Sequence, residues 1–188
     1  MNEKKTDKGG ALETVFMEVA EKYGSELYPI DIGKIDPRES MRLKCQIPLC
    51  EYFDACKVCP PNIPSVSAFR EALSNYRKAF LVVLREKIED IKIYQKDFSA
   101  ELKLADIIAH LELAAFENGF YQALGLGVGG CKLCDSCVPK GEPCRHPFKA
   151  RPSPEGFGID ITKLAREAGV PVEWPPKEYV NFMGLILV

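Results

Sequence analysis

Eight cysteines in two groups constrain this chain more than any other feature of its sequence. They are Cys45, Cys50, Cys56 and Cys59 in the first group, and Cys131, Cys134, Cys137 and Cys144 in the second. The polar N-terminus, MNEKKTDKGG, lacks the apolar run of a secretory signal. Because thiols stay reduced in the cytosol, we expect a cytoplasmic protein whose cysteines bind a metal instead of forming disulfides.

The second group has the tighter spacing, C-x2-C-x2-C from Cys131 to Cys137. A loop with this spacing presents three sulfurs to one centre and turns backbone N–H groups towards them, as in iron–sulfur proteins. Four-cysteine zinc sites are more often built from two separate C-x2-C pairs. The spacing therefore favours a [4Fe-4S] cluster, with zinc as the alternative.

The first group is looser, C-x4-C-x5-C-x2-C, although Cys59 is followed by Pro60, as in the last cysteine of bacterial ferredoxin runs. A second cluster is one interpretation of this group. A zinc knuckle that contains Cys56 and Cys59 is another, and a single cysteine donated across the fold to the other site is a third. The spacing leaves all three open.

Three side chains beside the second group are candidates for contacts with the cofactor or its partner. Arg145 and Arg151 could offset the negative charge of a tetrathiolate cluster, or bind a carboxylate or phosphate. His146 adjoins Cys144 and could donate a hydrogen bond to a cluster sulfur. The structural alternative for the arginines is a salt bridge, with Glu155 as a candidate partner.

Composition argues against two classes of partner. The formal net charge of -2 and the pI near 5.8 give no reason to expect nucleic-acid binding. The apolar C-terminus, residues 179–188, is about half as long as the roughly 20 residues of a membrane-spanning helix, so we predict a buried strand and no membrane insertion. At 188 residues without a clear linker, the chain is expected to form one metal-binding domain over 1–188, with cysteine loops at 45–59 and 131–144.

Hydrophobic periodicity predicts two longer helices, over 11–23 and from Ser99 to about Leu124. Capping residues predict two shorter ones, from Ser65 or Ser67 to about Tyr76 and after Asp160, where Gly169 ends the helix.

Strands are predicted near a sheet edge at 26–35, in the centre of the sheet at 78–87, and at 123–130 directly before Cys131. The last ten residues are also expected to be extended. This alternation indicates an α/β or α+β domain with a central mixed sheet flanked by helices and with cysteine-rich metal-binding loops.

The ordered set of short motifs resembles an uncharacterised, cysteine-rich family described as predicted metal-binding proteins, common in anaerobic bacteria and archaea. The motifs, spread over roughly residues 40–188, are Cys59-Pro60-Pro61, Gly130-Cys131-x2-Cys134-x2-Cys137, Cys144-Arg145-His146-Pro147, Ala150-Arg151-Pro152-Ser153 and Gly158-Ile159-Asp160. The resemblance implies seven metal ligands, namely Cys45, Cys50, Cys59, Cys131, Cys134, Cys137 and Cys144. If Cys56 is not a ligand, the first site has three thiolates and one open metal position.

These patterns favour an iron–sulfur protein with one or two [4Fe-4S] clusters that exchanges single electrons with a redox partner protein, as an accessory or maturation factor. A zinc-stabilised interaction module is the first alternative. The second is an enzyme that acts on a small molecule at an open cluster iron. No catalytic residue is assigned.

Overall fold

The computed structural model describes residues 8–87 and 97–188, and four antiparallel strands form its central sheet. The strands lie in the order β1-β2-β4-β3, where β1 is Glu26–Ile30, β2 is Ala79–Lys87, β3 is Leu124–Leu126 and β4 is Tyr179–Leu187. The α+β alternative is confirmed. Each neighbouring pair of these strands is antiparallel, so the described sheet is not mixed as expected: the helices cover its faces without linking parallel neighbours.

The described residues contain five α-helices. They are α1 (Lys8–Tyr23), α2 (Glu39–Arg42), α3 (Val66–Leu73), α4 (Ser99–Glu117) and α5 (Ile161–Glu167). The side chains of α1 and α4 pack on one face of the sheet, and those of α3 and α5 pack on the other. The sheet is therefore the middle layer of three.

Burial on both faces explains the unbroken apolar run AFLVVL of β2. Successive side chains of a strand point to opposite faces, so Ala79, Leu81 and Val83 join the core under α3 and α5, and Phe80, Val82 and Leu84 join the core under α1 and α4. The predicted central position of this strand is confirmed, as is the edge position of β1.

Helix α4 ends earlier than predicted, at Glu117 instead of about Leu124. Gly119 has a φ of +86°, a conformation that terminates helices, and the Phe120 amide bonds back to the Ala115 carbonyl at 2.9 Å. The apolar pattern continues past this point because Phe120 and Ala123 still pack against the same core. Apolar spacing alone therefore overestimated the length of the helix.

Two glycines let α4 lie close against the sheet. A Cβ on Gly125 of β3 would lie 2.2 Å from the Ile108 side chain of α4. One on Gly184 of β4 would lie 3.2 Å from the same side chain and 2.5 Å from the Leu126 carbonyl of β3. These positions accept only glycine in the present packing. The edge strand β3 is thereby fixed, and four residues separate its end from the first cysteine of the loop.

The cysteines lie in two irregular stretches, which we call the first cysteine segment (residues 45–59) and the second cysteine segment (residues 131–144). The first lies between α2 and α3, and the second lies between β3 and α5. Backbone hydrogen bonds anchor the flanks, from Gly127 to Pro152 and from Arg38 to Gly158, each at 2.8 Å. None of the helices in residues 8–87 and 97–188 is long and apolar enough to cross a membrane.

Candidate metal centre

A cavity of about 400 Å³ lies where the two cysteine segments meet. Five cysteines line it: Cys56, Cys131, Cys134, Cys137 and Cys144. Four of them are the whole second group, and the fifth comes from the first group. The sequence left open whether the two groups share a site, and the structure brings Cys56 of the first group to the second group at this cavity.

Cys56 is the point of contact between the two segments. Its sulfur is hydrogen-bonded to the thiols of Cys131 and Cys59, and these bonds hold the pKa of Cys56 well below its ordinary value. The same bonds to Cys56, together with burial, raise the pKa of Cys131 and the pKa of Cys59. The sulfurs of Cys59 and Cys131 therefore lie within hydrogen-bonding reach of the Cys56 sulfur. Sulfurs from the two segments are therefore close enough to each other to bind one shared metal centre.

Backbone amides point at the same sulfurs. The amides of Val58 and Cys131 are hydrogen-bonded to the Cys56 sulfur, and the amide of Leu133 is bonded to the Cys131 sulfur. The His146 amide donates to the Cys144 sulfur at 3.3 Å. Such N–H groups stabilise thiolate charge and tune the potential of a sulfur-ligated metal. Two of these amides, those of Leu133 and His146, bond to sulfurs of the second cysteine group.

Cys45, Cys50 and Cys59 do not line this cavity. The Cys50 amide donates to the Cys45 carbonyl at 3.0 Å, which closes a short loop in which Gln46 and Leu49 form a β-bridge. Burial, followed by the neighbouring Cys50, raises the pKa of Cys45. Cys50 also contributes to raising the pKa of Cys59, so these three cysteines are electrostatic neighbours.

The donor set fits a thiophilic metal. All eight cysteines are free of disulfide bonds, and two of them, Cys56 and Cys59, are buried. Among the described residues, no three His, Cys, Asp or Glu side chains are grouped as ligands of a single metal ion. The cysteines instead surround a volume, and the chemistry of their sulfurs suits iron–sulfur clusters or zinc.

Arg145 and His146 both line the cavity, as their position after Cys144 led us to expect. The Arg145 guanidinium donates to the Ser136 carbonyl at 2.9 Å, which ties the end of the second segment to its middle. The hydrogen bond to the Cys144 sulfur comes from the backbone of His146, whereas the sequence suggested its ring. Both residues therefore shape the loop through backbone contacts.

Arg151 forms a salt bridge with Glu112 of α4, so Glu155 was the wrong candidate partner. Its Nε donates to Glu112 at 2.6 Å, and its Nη1 donates to the carbonyls of Pro147 and Ala150. The second oxygen of Glu112 accepts from the Gly125 amide of β3 at 2.6 Å. This partly buried pair therefore joins the chain after the last cysteine to both α4 and β3. Glu112 was missed, although an acidic residue on an apolar helix face signals a buried partner.

Tyr52 is a second residue that the sequence reasoning missed. Its ring lines the cavity and covers Gly130, where a Cβ would lie 2.3 Å from the ring. Lys132 donates to its hydroxyl and lies 3.8 Å from the centre of its ring. Tyr52 thus holds the first segment against the start of the second. An aromatic residue between cysteines carries no spacing signal that would have identified this role.

A family comparison agrees with the chemistry of the cavity. The family model described as predicted metal-binding protein (DUF2284) matches residues 28–188, which include both cysteine segments and three of the four strands in full. No match is found among curated proteins or among solved structures. With eight free cysteines and this match over most of its length, the chain belongs to the predicted metal-binding protein family.

Proposed function

We propose that this member of the family is an iron–sulfur protein that exchanges single electrons with a partner enzyme, as an accessory or maturation factor. The observation that carries the proposal is the cavity lined by five cysteines from both segments. The proposal assigns the protein to the cytoplasm, where a reducing environment keeps such thiols free.

The size of the cavity favours a cluster over a single zinc ion. Four sulfurs at about 2.3 Å enclose a zinc ion completely and leave no further space between them. The cavity of about 400 Å³ is many times the share of one water molecule, roughly 30 Å³. A group of several atoms, such as a [4Fe-4S] cluster, makes better use of this volume.

The proposed ligands are four of the five lining cysteines. Cys131, Cys134 and Cys137 supply three of them from one loop, and Cys144 or Cys56 supplies the fourth. The three cysteines that do not line the cavity, Cys45, Cys50 and Cys59, would hold a second cluster with one open iron. When bound, such a cluster supplies reversible one-electron chemistry, while the amides that point at the sulfurs set its potential.

Exposure of the site supports exchange with a partner. Cys134, Cys137 and Cys144 are partly exposed, so a cluster in the cavity would lie at the surface of the protein. A surface cluster can pass electrons to a docked protein without a channel or a lid.

Metal and sulfide analysis of anaerobically purified protein, with absorption spectra before and after dithionite, tests the proposal. We expect about four irons and four sulfides for each cluster, and a broad band near roughly 400 nm that bleaches on reduction. About eight irons per chain would indicate two clusters. Stoichiometric zinc without colour would overturn the proposal and indicate a zinc-stabilised interaction module.

A further inference from the structure

An apolar groove of about 550 Å³ lies between the C-terminal half of α4, residues 120–123 and residues 148–151. Four large apolar side chains are exposed around it: Leu113 at 54%, Phe116 at 56%, Tyr121 at 71% and Phe148 at 83%. The rings of Phe116 and Tyr121 meet edge to face, 5.0 Å apart. Apolar side chains that gather around one concave surface mark a binding site, whereas single exposed ones are ordinary.

The charged and imidazole groups of the groove are bonded within the protein. Arg151 and Glu112 neutralise each other, and Lys149 forms a salt bridge with Asp106. The two ring nitrogens of His110 bond to the Asp106 carbonyl and to the hydroxyl of Tyr23. An uncharged ligand therefore suits this surface. A charged ligand would lose its hydration in the groove and would find no free group of opposite charge there.

We propose that this groove binds an uncharged, flat aromatic molecule. The volume lies within the range of about 300–1,000 Å³ that is typical of small-molecule sites. The rings of Phe116, Tyr121 and Phe148 supply stacking surfaces, and burial of their exposed area supplies the free energy of binding.

The groove and the cysteine cavity share a wall. His146 and Ala150 line the cavity, while Phe148, Lys149 and Arg151 line the groove. The Ala150 amide bonds to the His146 carbonyl at 2.9 Å, so this wall is a single turn of chain. A molecule in the groove therefore lies one chain width from the metal centre. Binding itself requires only the apolar groove, and it does not depend on which metal the cysteines hold.

Two related fluorescent probes test the inference on the purified full chain. N-phenyl-1-naphthylamine is an uncharged aromatic, and anilinonaphthalene sulfonate is its charged relative. We expect the uncharged probe to bind saturably with one site per chain, and the sulfonate to bind about tenfold more weakly because of its unpaired charge. Equal or tighter binding of the sulfonate would overturn the assignment of an uncharged ligand.

A pair of variants tests whether the uncharged probe binds in the groove. Leu113→Lys introduces a charge into the groove, and Met17→Lys makes the same change on α1, where the side chain is 57% exposed and does not line the groove. Leu113→Lys should weaken binding of the uncharged probe by about tenfold, and Met17→Lys should leave it unchanged. Equal effects of the two variants, or no saturable binding to the unsubstituted chain, would overturn the proposal.

Analytical sedimentation of the same proteins tests whether a second copy of the chain occupies the groove instead. A dimer that Leu113→Lys dissociates and Met17→Lys does not would mean that a second copy covers the groove, which would also overturn the proposal. The iron content of each preparation is measured in parallel. Probe binding by a zinc-containing chain would leave this inference intact while the iron–sulfur proposal failed.

Discussion

The sheet and the cysteine segments are held together in different ways. Central residues of the sheet, among them Leu81, Val82 and Leu185, have no exposed surface, and helices cover both faces. In the cysteine segments, by contrast, six of the eight cysteines are partly exposed, and the chain is mostly turns and loops. Single contacts hold these segments, such as the packing of Tyr52 on Gly130.

The sheet layer therefore folds through burial of apolar surface, whereas a bound metal would complete the folding of the cysteine segments. Apolar burial supplies the main driving force of folding, and the sheet has ample apolar area on both faces. The cysteine segments contribute little to either apolar core, so the free energy of metal binding would be their main source of order.

Removal of the metal should have the largest effect, and the effect should be local. After chelation under anaerobic conditions, we expect amides of residues 45–59 and 131–144 to lose their protection from hydrogen exchange. Amides of β2 and β4 should keep theirs, because burial and not the metal holds them. Hydrogen exchange followed by mass spectrometry measures both regions in one sample. Equal loss of protection in the sheet would contradict the separation of the two parts.

Truncation of a buried side chain in the sheet should lower the stability of the protein without changing its metal content. Leu185→Ala removes a fully buried side chain of β4, and we expect the free energy of unfolding to fall by about 2–5 kcal/mol. The metal content per folded chain should not change. Leu49→Ala is the matched control, because Leu49 is 73% exposed in the first cysteine segment, and it should have almost no effect on stability. Urea unfolding and metal analysis provide the two readouts.

Arg151→Met should destabilise the junction between the two parts. It leaves Glu112 partly buried without its partner, and loss of one member of such a pair costs about 3 kcal/mol. Arg145→Met removes an exposed side chain with one carbonyl contact, so it serves as the control and should cost no more than about 1 kcal/mol. Denaturant unfolding compares the two variants. Similar costs would show that the Arg151 pair is not the tether that we describe.

Gly130→Ala should have the smallest of the four effects. Its Cβ would overlap the Tyr52 ring, and such overpacking costs about 1–3 kcal/mol. Gly127→Ala is the control, because its Cβ would meet Arg151 only at an ordinary 3.6 Å. Adding Tyr52→Ala to Gly130→Ala should recover part of the loss. A double-mutant cycle measured by thermal unfolding tests this contact. A coupling free energy near zero would show that the added Cβ and the Tyr52 ring do not clash.

Local sequence patterns predicted the elements of the sheet layer well. The unbroken apolar run of β2 identified the central strand, and Pro29 identified β1 as an edge strand. Asp160 caps α5 as predicted, and Ser65 proved to be the cap of α3. Each of these signals depends on neighbours along the chain, which a sequence displays directly.

The arrangement of the site could not be predicted from the sequence, because it depends on contacts between residues that are far apart along the chain. Cys56 and Cys131 are 75 positions apart and touch only because the fold brings the two segments together. The partner of Arg151 was misidentified because Glu155 is close in sequence while Glu112 is close in space. Spacing therefore predicted that the thiols form a metal-binding set, and the tertiary fold determined which of them meet.

We propose that the cavity between the cysteine segments holds a cluster of several iron atoms. X-ray absorption at the iron edge of anaerobically purified protein tests this claim most directly, because it reports the neighbours of each metal atom. We expect sulfur atoms as the nearest neighbours of each iron and other iron atoms as the next nearest. Absence of iron with stoichiometric zinc, or sulfur ligands without a neighbouring iron, would contradict it.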